Sequence, residues 1–185
     1  MFGGGAASPR QPKGRTLARV GRPLRQAAPH LEAMIFLKQS VISASPERVF
    51  GFHELPDALK RLTPPWEPTR VIQAAVDLRV GATALIETRM LGLLKVRWLA
   101  RHTAYDPPRV FEDVQDEGPF KSWRHRHFVE PHEKGALLRD EVEYETPLGV
   151  FGRLAAPLLV EPRLRRLFEY RHRVTREWCE GAAHD

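Results

Sequence analysis

Two histidines and an aspartate in the second half of the chain have side chains suited to proton transfer or to orienting a bound ligand. His125 and His127 are two positions apart, and Asp140 follows them in the next alternating segment. An imidazole exchanges a proton near neutral pH, and an adjacent carboxylate fixes its orientation. Such a pair could act as a general base or bind a carbonyl or hydroxyl group. It could equally be a structural hydrogen bond, because a buried acid needs a partner for stability alone.

The same three residues have the ligand types of a two-histidine, one-carboxylate metal site. A single His-x-His pair is weak support, and local spacing fixes no third ligand, so we predict neither a metal nor a cofactor. Cys179 is the only cysteine, and the neighbouring Glu177 and Glu180 disfavour its thiolate form. The sequence has no GxSxG motif and no glycine-rich phosphate loop, which leaves triad hydrolysis and nucleotide binding without support.

Alternating apolar and polar residues predict the strands that position these side chains. A first strand is expected over residues 35–43. Six further strands are expected over 70–78, 83–91, 94–105, 109–116, 120–130 and 136–146. Glycine and proline separate these six segments at short spacing, so they form an antiparallel meander.

Helical signals follow the first strand and the last one. Ser45 as N-cap before Pro46 predicts a short helix over 46–52, and a second short helix over 55–62 must end before Pro64. After residue 149 the spacing becomes helical and predicts a long C-terminal helix, which prolines should kink in its first half. Its apolar stripe comprises Leu154, Leu158, Leu164, Leu167, Phe168, Val174 and Trp178, and the prolines are Pro157 and Pro162.

The order of elements predicts an α+β fold in which the terminal helix covers the apolar face of a seven-stranded antiparallel sheet. A curved sheet around one helix leaves a space in which a ligand can bind. Strand parity places Trp123, His125 and His127 on the inward face. Pairing 120–130 with 136–146 puts either His125 or His127 opposite Asp140, and Trp123 near Val142 or Tyr144.

Ten side chains are therefore candidates for ligand binding, three of which are also candidates for catalysis. Trp98, Trp123 and Tyr144 would form apolar walls, unless they are only core aromatics, and His102 joins the histidine and aspartate residues at a polar end. Leu164 and Phe168 would close the cavity, whereas Trp66 would gate its mouth or simply pack after a helix stop. The full set is Trp66, Trp98, His102, Trp123, His125, His127, Asp140, Tyr144, Leu164 and Phe168, with His125, His127 and Asp140 as catalytic candidates.

The positive charge of the chain lies in its first residues. Residues 1–31 contain six basic side chains and no acidic one, and the formal net charge of the chain is +6. The remaining 23 basic and 23 acidic residues cancel, so a specific nucleic-acid partner is not expected. The composition predicts a disordered basic tail over 1–33, followed by a ligand-binding domain over 34–180. The tail could resemble a transit peptide, contact anionic partners or precede a translation start at Met34.

The composition also indicates the cellular compartment in which the protein is expected. One cysteine excludes a disulfide framework, and no apolar run approaches the roughly 18 residues of a membrane-spanning helix. We therefore expect a cytoplasmic protein without a transmembrane segment. The sequence leaves the oligomeric state open.

Three segments resemble the SRPBCC (START/Bet v 1-like) superfamily, and more narrowly its bacterial ligand-binding, cyclase/dehydrase-like proteins. These segments are 63–66 (TPPW), 111–128 (FEDVQDEGPFKSWRHRHF) and 140–149 (DEVEYETPLG). The resemblance covers about residues 34–178 and implies a helix-grip fold: a curved seven-stranded antiparallel sheet around a long C-terminal helix, with two short helices after strand 1 and a deep hydrophobic cavity.

Members of that superfamily bind or carry lipids, sterols, quinones and polyketides, and some cyclise or dehydrate such substrates. The resemblance implies binding, and transport, of a hydrophobic small molecule. One alternative is a polyketide cyclase/dehydratase-like enzyme, a lyase or isomerase without metal, that uses the His–Asp pair. Another is a non-catalytic interaction module, because a fold does not decide function.

Overall fold

The computed structural model describes Met1, residues 33–90 and residues 94–181. Its helices and strands all belong to one compact unit, Leu31–Asp185. The predicted disordered tail, 1–33, lies outside the described residues except for Met1 and Ala33.

The sheet has seven antiparallel strands in the order β1-β7-β6-β5-β4-β3-β2, which confirms the predicted meander and the pairing of the first strand with the last. The strands are β1 (Met34–Ile42), β2 (Arg70–Gln73), β3 (Thr83–Met90), β4 (Leu94–Asp106), β5 (Val110–Glu117), β6 (Ser122–His132) and β7 (Gly135–Glu145). Side chains alternate between buried and half-buried along β6 and β7, as expected for strands with one face in the core.

Strand β2 is shorter than the predicted segment 70–78. Its register with β3 shifts between Val71 and Gln73, which interrupts the regular hydrogen-bond ladder. Further along, the carboxylate of Asp77 accepts a hydrogen bond from the backbone N–H of Arg79 at 2.9 Å. This local turn replaces the second half of the predicted strand.

The two short helices are α1 (Pro46–His53) and α2 (Ala58–Arg61). The hydroxyl of Ser45 accepts a hydrogen bond from the backbone N–H of Arg48 at 3.3 Å, so the predicted N-cap is confirmed. Helix α2 is a single turn that ends before Pro64, as the missing N–H of proline requires.

The predicted C-terminal helix consists of two helices, α3 (Gly149–Leu159) and α4 (Glu161–Gly181), separated at Val160. Pro162 causes the break, because its ring prevents the hydrogen bond that a continuous helix would make to the carbonyl of Leu158. Pro157 is accommodated within α3. Helix α4 places Leu164 and Phe168 against the sheet residues Val142 and Tyr144.

Helix α3 presents its apolar side chains to the outside, and the predicted stripe is wrong there. Leu154 and Leu158 are 70% and 80% exposed, whereas the small residue Ala156 is fully buried. Gly152 packs against the residues that precede the helix, where a Cβ atom would overlap the carbonyl oxygen of Pro147. The buried side of α3 is thus formed by small residues, and its large apolar residues point away.

We therefore expect Leu158→Gln to change the free energy of unfolding by less than about 0.5 kcal/mol, because an exposed side chain loses no packing. Leu164→Ala, in the buried part of α4, should cost about 2 kcal/mol or more. Urea denaturation of both variants measures the difference. Equal losses would contradict the outward orientation of α3.

Candidate functional site

Strand register brings the predicted polar residues together on the inward face of the sheet. His127 is paired with Asp140 across β6 and β7, and Trp123 is paired with Tyr144. His125 lies opposite Val142 on one side and Asp113 of β5 on the other. Of the two pairings left open by the sequence, the structure therefore places His127 opposite the aspartate.

Asp140 is the centre of a buried cluster of imidazoles. Its Oδ1 atom lies 3.0 Å from Nε2 of His125 and 2.5 Å from Nδ1 of His127. Its Oδ2 atom accepts a hydrogen bond from Nε2 of His172 at 2.6 Å. Both of its oxygens are thus used, and all four residues are buried.

Asp113 is a second carboxylate at this site, and the sequence analysis missed it. Its Oδ1 atom lies 3.5 Å from Nδ1 of His125 and 4.0 Å from Nε2 of His127. The two histidines therefore stand between two carboxylates. Asp113 shares the strand parity of Phe111, and this polar residue on an inward face was the available signal.

Two further histidines were also missed. His172 of α4 follows Phe168 by one helical turn, so its position on the apolar stripe was a signal of burial near the sheet. His53 ends α1, donates a hydrogen bond from Nδ1 to the carbonyl of Val49 at 3.0 Å, and lies 5.6 Å from His127 between ring centroids. No local spacing connects either histidine with the strands.

Aromatic side chains surround one end of this cluster. The rings of Trp98 and Trp123 meet edge to face with centroids 4.9 Å apart, and Phe120 lies 4.9 Å from Trp123. Tyr144 lies 5.6 Å from Phe120, and its hydroxyl is a buried atom with no hydrogen-bond partner among the described residues. The predicted wall residues are thus adjacent in space.

Helix α4 closes the same face. Phe168 is fully buried and meets the ring of His125 edge to face at 5.1 Å. On β6, the ring of His127 stacks on Phe111 with centroids 4.0 Å apart. The polar cluster is therefore enclosed by apolar rings.

Of the remaining predicted residues, Trp66 lies apart from the cluster and His102 lies beside it. Trp66 is 40% exposed, and its ring contacts are with Tyr170, at 5.1 Å, and the guanidinium of Arg166, at 4.5 Å. The structure thus brings Trp66 to side chains of α4 rather than to the buried cluster. His102 is the cross-strand neighbour of Asp113, and its buried Nδ1 atom has no partner among the described residues.

Burial and hydrogen bonding act in opposite directions on the two carboxylates. Burial alone would raise the pKa of Asp140, but the imidazoles of His127, His125 and His172 bring it well below its ordinary value. Burial would likewise raise the pKa of Asp113, but the hydrogen bond from His125 outweighs this effect, and the net shift is downward. Asp113 and Asp140 are thus carboxylates in the folded protein.

The histidines fall into two classes. Burial lowers the pKa of His125, but its hydrogen bonds to Asp113 and Asp140 more than compensate, so the net shift is upward. Burial lowers the pKa of His127 to about 3, with a further contribution from the charge on His125. Burial also lowers the pKa of His53 to about 4. The site therefore combines one imidazole of raised pKa with two whose pKa values are lowered.

The surroundings limit other chemistry. Cys179 is buried, and burial raises the pKa of its thiol to about 11, which agrees with the expected absence of a reactive thiolate. Two pockets open on the surface, one beside Thr146 and Arg153 and one beside Pro157 and Arg165. Neither pocket is lined by a predicted site residue. These two pockets are therefore not the deep hydrophobic cavity that the family resemblance implies. No helix in the described part of the chain is long and apolar enough to span a membrane.

Sequence comparison identifies the family described as polyketide cyclase/dehydrase and lipid transport, which matches residues 42–168. A search among curated proteins gave no match. The structure is similar to a protein from Thermus thermophilus with a TM-score of 0.61 and 21% identity, covering 82% of this chain and 99% of that one.

Two larger proteins contain a similar domain. The di-domain ARO/CYC StfQ from the steffimycin biosynthetic pathway has a TM-score of 0.66 and 13% identity, over 83% of this chain and 52% of StfQ. A nucleoside-diphosphate sugar epimerase from Corynebacterium glutamicum has a TM-score of 0.59 and 27% identity, over 77% of this chain and 28% of the epimerase. These similarities confirm the SRPBCC-type helix-grip fold.

Proposed function

Since the chain belongs to the polyketide cyclase/dehydrase and lipid transport family, we propose that it binds and carries a hydrophobic small molecule such as a lipid, quinone or polyketide. The ligand lies between the inward face of the sheet and α4. Trp98, Trp123 and Tyr144 form its apolar walls, and the cluster around Asp140 orients its carbonyl or hydroxyl group. Because these side chains are in mutual contact, the aromatic rings must move apart when the ligand enters.

The observation that carries this proposal is a pair of buried polar atoms beside aromatic walls. The hydroxyl of Tyr144 and Nδ1 of His102 have no hydrogen-bond partner among the described residues. A buried polar atom without a partner costs about 1–3 kcal/mol, so a ligand that supplies the missing hydrogen bond gains affinity from it. Apolar walls with a few converging polar groups are typical of small-molecule sites.

Native mass spectrometry of the full chain is the direct test. A stoichiometric lipid, quinone or polyketide, released on denaturation and identified in an organic extract, would support a carrier. Quenching of the fluorescence of Trp98 and Trp123 by a panel of apolar ligands would locate binding at the walls. A protein that is empty and binds no member of the panel contradicts the proposal and favours the interaction module.

Tyr144→Phe separates a ligand contact from a structural role. The change keeps the ring and removes only the unpartnered hydroxyl, so we expect the melting temperature to stay the same or rise. Affinity for a ligand with a carbonyl or hydroxyl group should fall about 2- to 10-fold, which corresponds to one hydrogen bond. Fluorescence titration measures the affinity.

Tyr105→Phe is the matched control, because the hydroxyl of Tyr105 donates to Glu54 at 2.6 Å and lies outside the cluster. Its affinity for the ligand should equal that of the unmodified protein. A similar loss of affinity in both variants would show that Tyr144 has no specific contact with the ligand.

The second candidate function is an enzyme of the cyclase/dehydratase type. It is favoured by His125, whose two nitrogens face Asp113 and Asp140 and which can transfer a proton to a ligand that displaces one of these contacts. His125→Ala would then abolish turnover, whereas changes of the apolar walls would mainly alter substrate fit. In a carrier, the same change weakens or redirects binding and no turnover exists to be lost.

A further inference from the structure

The two histidines of β6 have the same arrangement towards the two carboxylates. Each directs one ring nitrogen to Oδ1 of Asp140, at 3.0 Å from His125 and 2.5 Å from His127. Each directs its other nitrogen to Oδ1 of Asp113, at 3.5 Å and 4.0 Å respectively. The two carboxylates therefore lie on opposite sides of both imidazole rings, with Asp140 in close contact and Asp113 farther away.

Hydrogen-bond chemistry defines the tautomer of His127. Nδ1 of His127 lies 2.5 Å from a carboxylate oxygen of Asp140, and we assign the hydrogen to this nitrogen because two acceptors repel each other at that distance. In the neutral ring, Nε2 then presents a lone pair to the oxygen of Asp113, 4.0 Å away. A cation between these two buried acceptors would satisfy both of them.

The distances match the dimensions of a metal centre. Metal–nitrogen and metal–oxygen bonds in zinc sites are each about 2.0–2.2 Å, so two donor atoms on a tetrahedral ion lie about 3.3–3.6 Å apart. The separation of 3.5 Å between His125 and Asp113 has this length, and the separation of 4.0 Å between His127 and Asp113 is slightly longer. The three ligand atoms of Asp113, His125 and His127 lie within 4.8 Å of one another, so a small inward movement of the rings completes the set.

A fourth donor lies next to this set. His102 is the cross-strand neighbour of Asp113, which in turn is the neighbour of His125, so the three side chains occupy one row across β4, β5 and β6. The Nδ1 atom of His102 is buried and has no partner among the described residues. His102 lies outside the set of three, so its imidazole would become the fourth ligand of a tetrahedral site by turning towards Asp113.

We propose that Asp113, His125 and His127 bind a divalent transition-metal ion of the zinc or ferrous class, with His102 as a fourth ligand. Asp140 is then the outer carboxylate that hydrogen-bonds both ligating imidazoles, an arrangement that fixes ring orientation in metalloproteins. Nitrogen and oxygen donors of this kind suit both ions. The site requires no hydrophobic ligand, and it therefore goes beyond the proposed function.

The test uses the full chain without a histidine tag, dialysed against a chelator and titrated with Zn²⁺ by calorimetry in competition with a chromophoric chelator. We expect one equivalent to bind and to raise the melting temperature. Zinc X-ray absorption should show nitrogen and oxygen ligands with imidazole scattering. Failure to bind one equivalent, or sulfur coordination, overturns the proposal without any need for a variant.

Variants then assign the ligands. Asp140→Asn should weaken Zn²⁺ binding about 10- to 100-fold, as loss of an outer carboxylate does, and Asp113→Asn should weaken it further. His132→Gln, at the end of β6, is the control and should leave the affinity within about 2-fold. Unchanged affinity in a folded Asp113→Asn protein overturns the assignment. Native mass spectrometry for an organic ligand is a separate measurement, so failure of one proposal leaves the other intact.

Discussion

Asp140→Ala should lower the free energy of unfolding by about 3–5 kcal/mol, which is typical when one partner of a buried charged group is removed. Both carboxylate oxygens contact imidazoles, and the variant leaves His125, His127 and His172 without their shared acceptor. These imidazoles remain buried, so water cannot replace the lost contacts. Urea denaturation at pH 7.5 gives the change directly.

Glu143→Ala is the matched control on the same strand. Glu143 lies on the opposite face of β7, where its carboxylate is 3.7 Å from the guanidinium of Arg124 and is partly exposed. Such a pair contributes at most about 1 kcal/mol. If the two variants were equally stable, Asp140 would not be the centre of the cluster.

The pairing of the last two strands could be predicted because it depends on the local alternation of apolar and polar residues. Alternation along 120–130 and 136–146, together with a short turn, fixes which residues share a face and nearly fixes which are opposite. Observed strand ends other than those of β2 differ from the predicted ones by two residues or fewer. The sequence therefore placed His127, Asp140, Trp123 and Tyr144 on one face and limited each pairing to two alternatives, and the structure shows His127 opposite Asp140 and Trp123 opposite Tyr144.

The other half of the cluster depends on contacts between elements that are distant in sequence. His172 lies on α4 and reaches Asp140 across 32 positions, while His53 belongs to α1. Asp113 is brought to His125 by the register of β5 with β6. No periodicity within one segment specifies how a helix crosses the sheet, so these three residues were missed.

The outward face of α3 was mispredicted for a related reason. The pattern of Leu154 and Leu158 correctly predicts a helix with one apolar side. It does not tell whether that side faces the core, and in the structure the small residue Ala156 occupies the buried side instead.

The proposed function gives the buried cluster a role in addition to stability. Removing two carboxylates from water costs several kcal/mol each, and well-packed apolar residues would often be as stable. Yet Asp113 and Asp140 are both held ionised, and His125 stands between them. Carboxylates of lowered pKa beside an imidazole of raised pKa are typical of ligand-binding and catalytic sites. The polar end of a ligand site and a metal centre both require such an arrangement.

Acidification should destabilise the protein well before its carboxylates are protonated. The pKa values of His53 and His127 fall from 6.5 to about 4 and about 3 on folding, so the unfolded chain binds more protons at these positions. Stability is therefore complete above pH 6.5 and is lost as the pH falls towards the folded values. Each histidine contributes a slope of up to about 1.4 kcal/mol per pH unit in this range.

The other groups of the cluster act outside this range. His125 has a raised pKa, so its contribution is fully present below pH 6.5 and is lost as the pH rises through its folded value. Asp113 and Asp140 have lowered pKa values, and their contributions are lost progressively as the pH falls below about 5. Between about pH 5 and 6.5 the two histidines of lowered pKa therefore determine the slope of the cluster.

Urea denaturation at intervals between about pH 5 and 6.5 measures this slope, and His53→Gln identifies its source. The variant removes one of the two titrating groups, so the slope should fall to about half, whereas His132→Gln, at the end of β6, should leave it unchanged. A stability that does not vary over this range would mean that His53 and His127 are protonated in the folded protein. Two more cations would then lie among His125, Asp113 and Asp140, and His127 would have no lone pair to offer a metal.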